Sequence, residues 1–133
     1  MPRLHAAGPF DVKLLPQQDD PATAGPFGRM LLDKHFHGDL EGTSNGQMLA
    51  GRTAVAGSAA YVAMEAVSGS LHGRRGTFML CHVGIMNRGV ASLNVSVVPD
   101  SGTDELVGLT GTLQIIIEDG KHSYHFDYTL DQE

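Results

Sequence analysis

The sequence contains no tryptophan and a single cysteine, and only 18% of its 133 residues are charged. One cysteine, Cys81, excludes both a disulfide framework and a four-cysteine metal site. No apolar run approaches the roughly 18 residues that a membrane span requires, and residues 1–10 lack the apolar core of a signal peptide. Without a targeting signal, we expect a cytoplasmic protein.

Basic residues are also scarce: nine Lys and Arg stand against fifteen Asp and Glu, giving a formal net charge of −6. Nucleic acids and anionic membranes are bound by basic surfaces, so we expect neither as a partner. The glycine-containing stretch 102–108 is a poor phosphate loop, because no lysine follows it and Asp104 and Glu105 would repel phosphate. We therefore predict no cofactor.

Glycine is abundant, with 17 residues, and period-two patterns separated by turn signals dominate the chain. The length suits one domain with one core, spanning residues 1–133. We predict an all-β fold, an eight-stranded antiparallel β-barrel, with tails at 1–8 and 131–133 and a mobile loop at 17–26. The predicted strands are 9–17, 27–37, 39–53, 58–69, 76–87, 91–98, 111–118 and 121–130.

Two predicted hairpins have a readable register. Asp119-Gly120 is a strong type I′ turn signal, which pairs Glu118 with Lys121 and Ile115 with Tyr124. One face of that hairpin is then apolar and the other polar. The second hairpin is predicted to turn at 73–74, so that Glu65 lies directly opposite His82.

Both faces of the second hairpin are largely apolar, so both should be covered. A closed barrel covers one face, and a second subunit could cover the other. We therefore expect a homo-oligomer. A non-catalytic structural or interaction module, in which the lumen is filled by side chains, is the alternative to a ligand-binding barrel.

Glu65 and His82 are the candidate catalytic residues. A carboxylate and an imidazole in apolar surroundings have shifted pKa values and can exchange a proton near neutral pH. A purely structural ion pair is the other interpretation. Gly69 and Gly84 on the same face would leave room for a small apolar ligand, and a pocket of roughly 300 Å³ or more would favour binding over a packed lumen. The candidate ligand-binding residues are Tyr61, Val67, Phe78, Leu80 and Met86.

A weaker candidate is a metal site at His35, His37 and Glu41. Their spacing, His-x-His-x3-Glu, resembles the first metal-binding motif of the cupin family of barrels. The other interpretation is an exposed strand end with solvated histidines.

Several segments together resemble a small family of uncharacterised bacterial proteins with an allene-oxide-cyclase-type barrel. The more distant similarity to the plant cyclases lies in Gly38-Asp39-Leu40 and in the glycine-rich loop 101–111. The segments that resemble the bacterial family are 33–41, 44–49, 61–65, 71–74, 81–84, 98–103 and 109–111.

This resemblance implies an eight-stranded barrel, an oligomer and a lumen that can hold an apolar ligand. It implies no particular activity, because the catalytic glutamate of the plant enzymes has no matching position here and Glu65 does not correspond to it. Isomerase-like or cyclase-like acid–base chemistry is therefore a hypothesis that depends on Glu65 and His82 themselves, and the sequence does not identify a substrate.

Overall fold

The computed structural model describes residues 3–18 and 25–130. Eight β-strands and one short 3-10 turn make up this part of the chain. The strands are β1 Leu4–Pro16, β2 Phe27–Phe36, β3 Leu40–Arg52, β4 Ala59–Leu71, β5 Arg74–Asn87, β6 Val90–Val97, β7 Thr110–Glu118 and β8 Lys121–Thr129, and the 3-10 turn is Asp104–Leu106.

The strands form a closed barrel in chain order, with every neighbouring pair antiparallel and β8 paired back onto β1. This confirms the predicted eight-stranded all-β fold. The seam between β6 and β7 differs from the rest, because one register pair, Ser96 with Thr112, joins these two strands beside the 98–109 connection. In the described ranges, no helix is long and apolar enough to cross a membrane.

The first strand begins earlier than predicted. Residues 4–8 were expected to be a tail, but Leu4 pairs with Tyr128 and Ala6 with Phe126 on β8. Ala6 is completely buried by this pairing, which explains why the strand starts at Leu4. Residues 19–24 of the predicted loop and the predicted tail 131–133 lie outside the described residues.

The β7–β8 hairpin has the predicted register, with Glu118 paired to Lys121 and Asp119 and Gly120 both at positive φ. The β4–β5 prediction was wrong by two residues. Its turn lies at His72-Gly73, with φ of 48° and 82°, so Glu65 pairs with Leu80, and His82 pairs with Ala63. A contact with Asp39, whose carbonyl accepts a 2.8 Å hydrogen bond from the His72 N–H, supports this turn.

The two halves of the lumen are filled differently. The half near the 3-10 turn is packed with aromatic and aliphatic side chains, including a Phe36–Tyr124 edge contact at 5.6 Å and a Phe78–Phe126 stack at 6.0 Å between ring centroids. Leu106, on the 3-10 turn, is fully buried against this core. We call this half the packed end, and the half towards the β7–β8 turn the open end.

Candidate functional site

A layer of polar side chains crosses the lumen between the packed end and the open end. Strand alternation turns Lys34 of β2, Ser44 of β3, Glu65 of β4 and His82 of β5 inward, and all four are buried. Charged residues are almost never fully buried unless they are paired. We call these four residues the lumen cluster.

The ion pair between Lys34 and Glu65 is the centre of the lumen cluster. Lys34 Nζ lies 2.9 Å from Glu65 Oε2, and His82 Nε2 lies 3.6 Å from the same oxygen. Lys34 Nζ also lies 5.2 Å from the centroid of the Phe10 ring and 5.8 Å from that of Phe36, within the range of a cation–π interaction. The lysine is thus held by one carboxylate and two aromatic faces.

The backbone leaves room for this carboxylate at one glycine. Gly46 of β3 pairs with Glu65, and a Cβ atom at position 46 would stand 2.8 Å from Glu65 Cα and Cβ. Any larger residue at 46 would therefore displace the glutamate or separate β3 from β4. The close approach of β3 and β4 therefore requires glycine at position 46.

The polar atoms of the lumen cluster are short of hydrogen-bond partners. Within the described residues, Ser44 Oγ, both carboxylate oxygens of Glu65 and His82 Nε2 are buried without a partner in hydrogen-bond geometry. The 2.9 Å and 3.6 Å contacts are therefore ion pairs that fall outside hydrogen-bond geometry. Buried polar groups are normally hydrogen-bonded, so this set has bonding capacity that a water or a ligand can use.

The pKa of Glu65 reflects two opposing effects. Burial raises it, whereas short polar contacts with His82 and Lys34 and the charge of both groups lower it by more, so the net pKa lies below the ordinary value. Glu65 is consequently a carboxylate at neutral pH. Because Lys34 stabilises its negative charge, Glu65 is a weaker base than a buried glutamate paired with a histidine alone would be.

A cleft of about 180 Å³ lies in the open end of the lumen, on the side of the lumen cluster that faces away from the packed end. Each of the eight strands contributes to its lining, which includes Lys34, Tyr61 and His82, whereas Glu65 lies behind them and has a completely buried side chain. Leu93 of β6 and Ile115 of β7 line the cleft from the two sides of the sparsely paired seam. The cleft is smaller than the roughly 300 Å³ that would favour binding over a packed lumen, so its volume alone does not favour a ligand site.

Tyr61 is one of the polar residues that line this cleft. Burial raises the pKa of Tyr61, and the negative charge of Glu65 raises it further. The phenol is therefore protonated across the physiological range and can donate a hydrogen bond.

The structure brings the predicted Glu65, His82 and Tyr61 together but separates them from the other predicted ligand contacts. Val67, Phe78 and Leu80 share their face of the sheet, yet they are at most 1% exposed and belong to the core of the packed end. Met86 is 39% exposed beyond the cleft. The cleft is lined instead by Phe10, Val12, Leu14, Leu32, Met48, Ala63, Leu93, Ile115, Ile117 and His122, besides Lys34, Tyr61 and His82.

The two glycines expected to leave space for a ligand do not do so. A Cβ at Gly84 would stand 2.3 Å from Tyr61 Cε1, so the tyrosine ring occupies that space. A Cβ at Gly69 would stand 2.3 Å from the Glu41 carbonyl oxygen, so β3 backbone occupies the other. Both glycines allow close packing rather than a cavity.

Sequence reasoning missed Lys34 and Ser44. Lys34 lies between Leu32 and Phe36 on a period-two pattern, which places it on the inward face of β2. That alternation was the available signal. The ion pair could not be predicted, because the interaction joins strands whose register across β3 was not known from the sequence.

The three candidate metal ligands lie outside the lumen. His35, His37 and Glu41 are on the outer wall, with side chains 52%, 41% and 55% exposed. Their ligand atoms all lie within 4.8 Å of one another. A lumenal metal site of the cupin kind is therefore not formed by these residues.

The fold and the lumen cluster define a small antiparallel barrel whose interior is divided between a core and an open cleft. Residues 6–128 match the family described as "Protein of unknown function (DUF3224)", and the chain belongs to that family. It is similar to the crystal structure of a DUF3224 protein of unknown function from Shewanella oneidensis MR-1, with 48% identity, a TM-score of 0.91, and coverage of 99% of this chain and 100% of that one. No curated protein matches the chain.

Proposed function

We propose that the open end of the lumen binds a small, mostly apolar molecule that carries one hydrogen-bond acceptor, such as a carbonyl oxygen. The observation that carries this proposal is a largely apolar cleft whose lining includes two buried nitrogen-bearing side chains, Lys34 and His82. Ligand sites in proteins combine an apolar lining with a few convergent polar groups. In this proposal Lys34 and His82 contact the ligand directly, and Glu65, which lies behind them, positions both.

The cleft volume restricts the size of the ligand. A cavity of about 150 Å³ is known to hold benzene, and the cleft here measures about 180 Å³. We therefore propose a molecule with a single small ring or an equivalent chain. β6 and β7 share one register pair, and Leu93 and Ile115 face the cleft from either side of it. This sparse pairing supports a lateral opening between the two strands as the route of binding.

Acid–base isomerisation is the chemistry that this arrangement favours. The ammonium of Lys34 would stabilise negative charge on a carbonyl oxygen while the His82 imidazole accepts a proton from the adjacent carbon and returns it at another position. No oxidant or metal is needed for such a proton shift. Glu65 stabilises the imidazolium form, because its carboxylate oxygen lies 3.6 Å from His82 Nε2.

Binding can be tested with two matched probes, cyclohexanone and cyclohexane, observed by NMR. We expect both to shift signals of cleft residues, and cyclohexanone alone to shift the His82 ring signals. His82→Asn should weaken cyclohexanone binding and leave cyclohexane binding unchanged. Glu41→Gln, which alters an exposed carboxylate on the outer wall, serves as the control.

Turnover can be tested with 3-cyclohexen-1-one, whose conversion to the conjugated isomer raises the ultraviolet absorbance. We expect slow conversion that His82→Asn abolishes. If neither ketone perturbs His82, the binding proposal is wrong. If cyclohexanone binds at His82 but 3-cyclohexen-1-one is not converted, the cleft is a binding site without this chemistry.

We also propose that a second copy of the chain covers the outer face of β4 and β5. Here the exposed apolar residues are contiguous, at 39–52% exposure, and include Val62, Met64, Met79, Val83 and Ile85. Although the chain has a net charge of −6, no charged residue points outward from this face between positions 60 and 66 of β4 or 79 and 85 of β5. Two copies can therefore approach here without charge repulsion.

Light scattering tests this second proposal. Val83→Glu should shift an oligomer to the monomer, whereas Gln114→Glu on the exposed face of β7 should not. A wild-type chain that is monomeric at all concentrations would contradict it.

The relationship to allene-oxide-cyclase-type barrels is likewise proposed. The closed eight-stranded antiparallel barrel and the long 98–109 connection support it. Neither observation assigns cyclase activity to the cleft.

A further inference from the structure

The outer wall next to the lumen cluster carries three groups that converge on one point. His35 follows Lys34 on β2 and, by alternation, points outward. His37 lies just beyond β2, and Glu41 returns to the same place on β3 after a turn in which Gly38 has a φ of 96°. A left-handed φ of this kind suits glycine, so the turn that joins the three groups is specified locally.

Two of the three distances among these groups match those of a metal site. Glu41 Oε2 lies 3.3 Å from His35 Nε2 and 3.4 Å from His37 Nδ1. Bonds of about 2.0–2.1 Å to a tetrahedral ion place two ligand atoms about 3.3–3.4 Å apart. Two of the three ligand separations thus already have the values that a bound ion requires.

The other nitrogen of His37 has the partner that a metal-bound histidine needs. His37 Nε2 lies 3.2 Å from Asp11 Oδ2 on β1. Ligating histidines usually donate their second N–H to a carboxylate, which fixes the tautomer and leaves the facing nitrogen free to bind the metal. The His35 and His37 rings are stacked, with centroids 4.3 Å and planes 20° apart, so one ring has to rotate for both nitrogens to reach a common ion.

We propose that His35, His37 and Glu41 bind a divalent transition-metal ion of the Zn²⁺ type on the outer wall, with Asp11 as a positioning residue. Two imidazoles and one carboxylate form a ligand set that suits zinc. Because the three side chains are 41–55% exposed, the fourth position of a tetrahedral ion would be open to solvent. The site does not depend on the function proposed for the lumen.

A second surface group of the same residue types provides an internal control. His5 Nδ1 lies 2.8 Å from Asp127 Oδ1, and His5 Nε2 lies 3.1 Å from His125 Nδ1. The two partners occupy opposite nitrogens of one ring, so the three groups surround His5 instead of converging. Among the described residues, the ligand atoms that converge are those of His35, His37 and Glu41.

Calorimetry with ZnCl₂ on the tag-free chain tests the proposal. We expect one ion per chain. Asp11→Asn should weaken the affinity by about 10- to 100-fold, the usual effect of removing an outer-shell carboxylate. His35→Ala and His37→Ala should each weaken it more, and His125→Ala should leave it unchanged. Far-ultraviolet circular dichroism checks that each variant is folded.

Co²⁺ gives a second readout that an ordinary ion pair between these residues would not produce. We expect visible absorption bands of a four-coordinate Co²⁺ ion in the wild-type chain and in His125→Ala, and their loss in His37→Ala. Absence of Zn²⁺ binding by the wild type would overturn the proposal. Binding that survives both His35→Ala and His37→Ala, or that is lost equally in His125→Ala, would also overturn it.

Discussion

Lys34 and His35 are consecutive in the chain, yet they belong to two charged clusters with opposite surroundings. Lys34 points into the lumen, where its partner Glu65 is completely buried. His35 points outward, where its partner Glu41 is 55% exposed. Each cluster contains a carboxylate between two nitrogen bases, so the chemical groups are similar and the principal difference is access to water.

This difference determines what each cluster can do. Inside the barrel, charges cannot be hydrated freely, so each charge depends strongly on its partner and the pKa of Glu65 falls. On the outer wall, water screens the same kind of pair and weakens it. The side chains can therefore give up their contacts with each other and bind a metal ion instead. We therefore expect changes in the buried cluster to alter the free energy of unfolding, and changes in the outer cluster to alter the binding of ions from solution.

The largest effect is expected when the buried pair is broken. Lys34→Met leaves the Glu65 charge in the lumen without its closest cation, which should lower the free energy of unfolding at pH 7 by about 3–5 kcal/mol. Urea denaturation measures the loss. The double variant Lys34→Met/Glu65→Met removes both charges and should recover most of it. A single variant as stable as the wild type would show that the pair is not buried in solution.

Lowering the pH should reduce the difference in unfolding free energy between the wild type and Lys34→Met. The pKa of Glu65 is lowered in the folded protein, so its stabilising contribution is present above the unfolded value of about 4.3 and is lost as the pH falls through the lower folded value. Without Lys34, burial favours the protonated acid. Lowering the pH from 7 towards 4 should therefore bring the unfolding free energies of Lys34→Met and wild type closer together.

The opposite trend, a gap that widens as the pH falls, would mean that Glu65 is not held as a carboxylate by Lys34. Glu41→Gln provides a control for general acid effects. Its difference from wild type should vary less with pH, because Glu41 is more than half exposed.

The sequence allowed the inner and outer faces of most strands to be predicted, because period two survives an error in register. The β4–β5 register was shifted by two residues, so Glu65 and His82 still shared a face although they were not opposite each other. The turn was misplaced because His72 adopts a left-handed conformation, which tertiary contacts to β8 and to Asp39 support. Such contacts are not visible in local sequence.

The division of the lumen could not be predicted for a different reason. Val67 and Phe78 are as apolar as the side chains that line the cleft, so composition does not distinguish core from binding surface. The distinction depends on the 3-10 turn, which packs Leu106 against one end of the barrel only. This connection crosses between β6 and β7, and its position over the lumen follows from the closed topology.

Tyr124 holds the turn that joins His37 to Glu41 and gives the next largest expected effect. Its hydroxyl accepts a 2.8 Å hydrogen bond from the buried Leu40 N–H and donates one of 2.8 Å to the His37 carbonyl oxygen. Tyr124→Phe leaves that N–H unpaired and should cost about 1–3 kcal/mol in urea denaturation. It should also move the His37 ring signals in NMR spectra, while those of His5 stay in place. Unchanged His37 signals would show that the turn is fixed by other contacts.

The smallest effect is expected at the outer cluster. Glu41→Gln removes the carboxylate shared by His35 and His37, but water screens that pair, so the free energy of unfolding should change by less than about 1 kcal/mol. Urea denaturation without added metal measures this value. With ZnCl₂ present, the wild type should become more stable and Glu41→Gln should gain much less, because the ion binds the folded state through this carboxylate. A loss as large as that of Lys34→Met would show that exposure does not separate the two clusters.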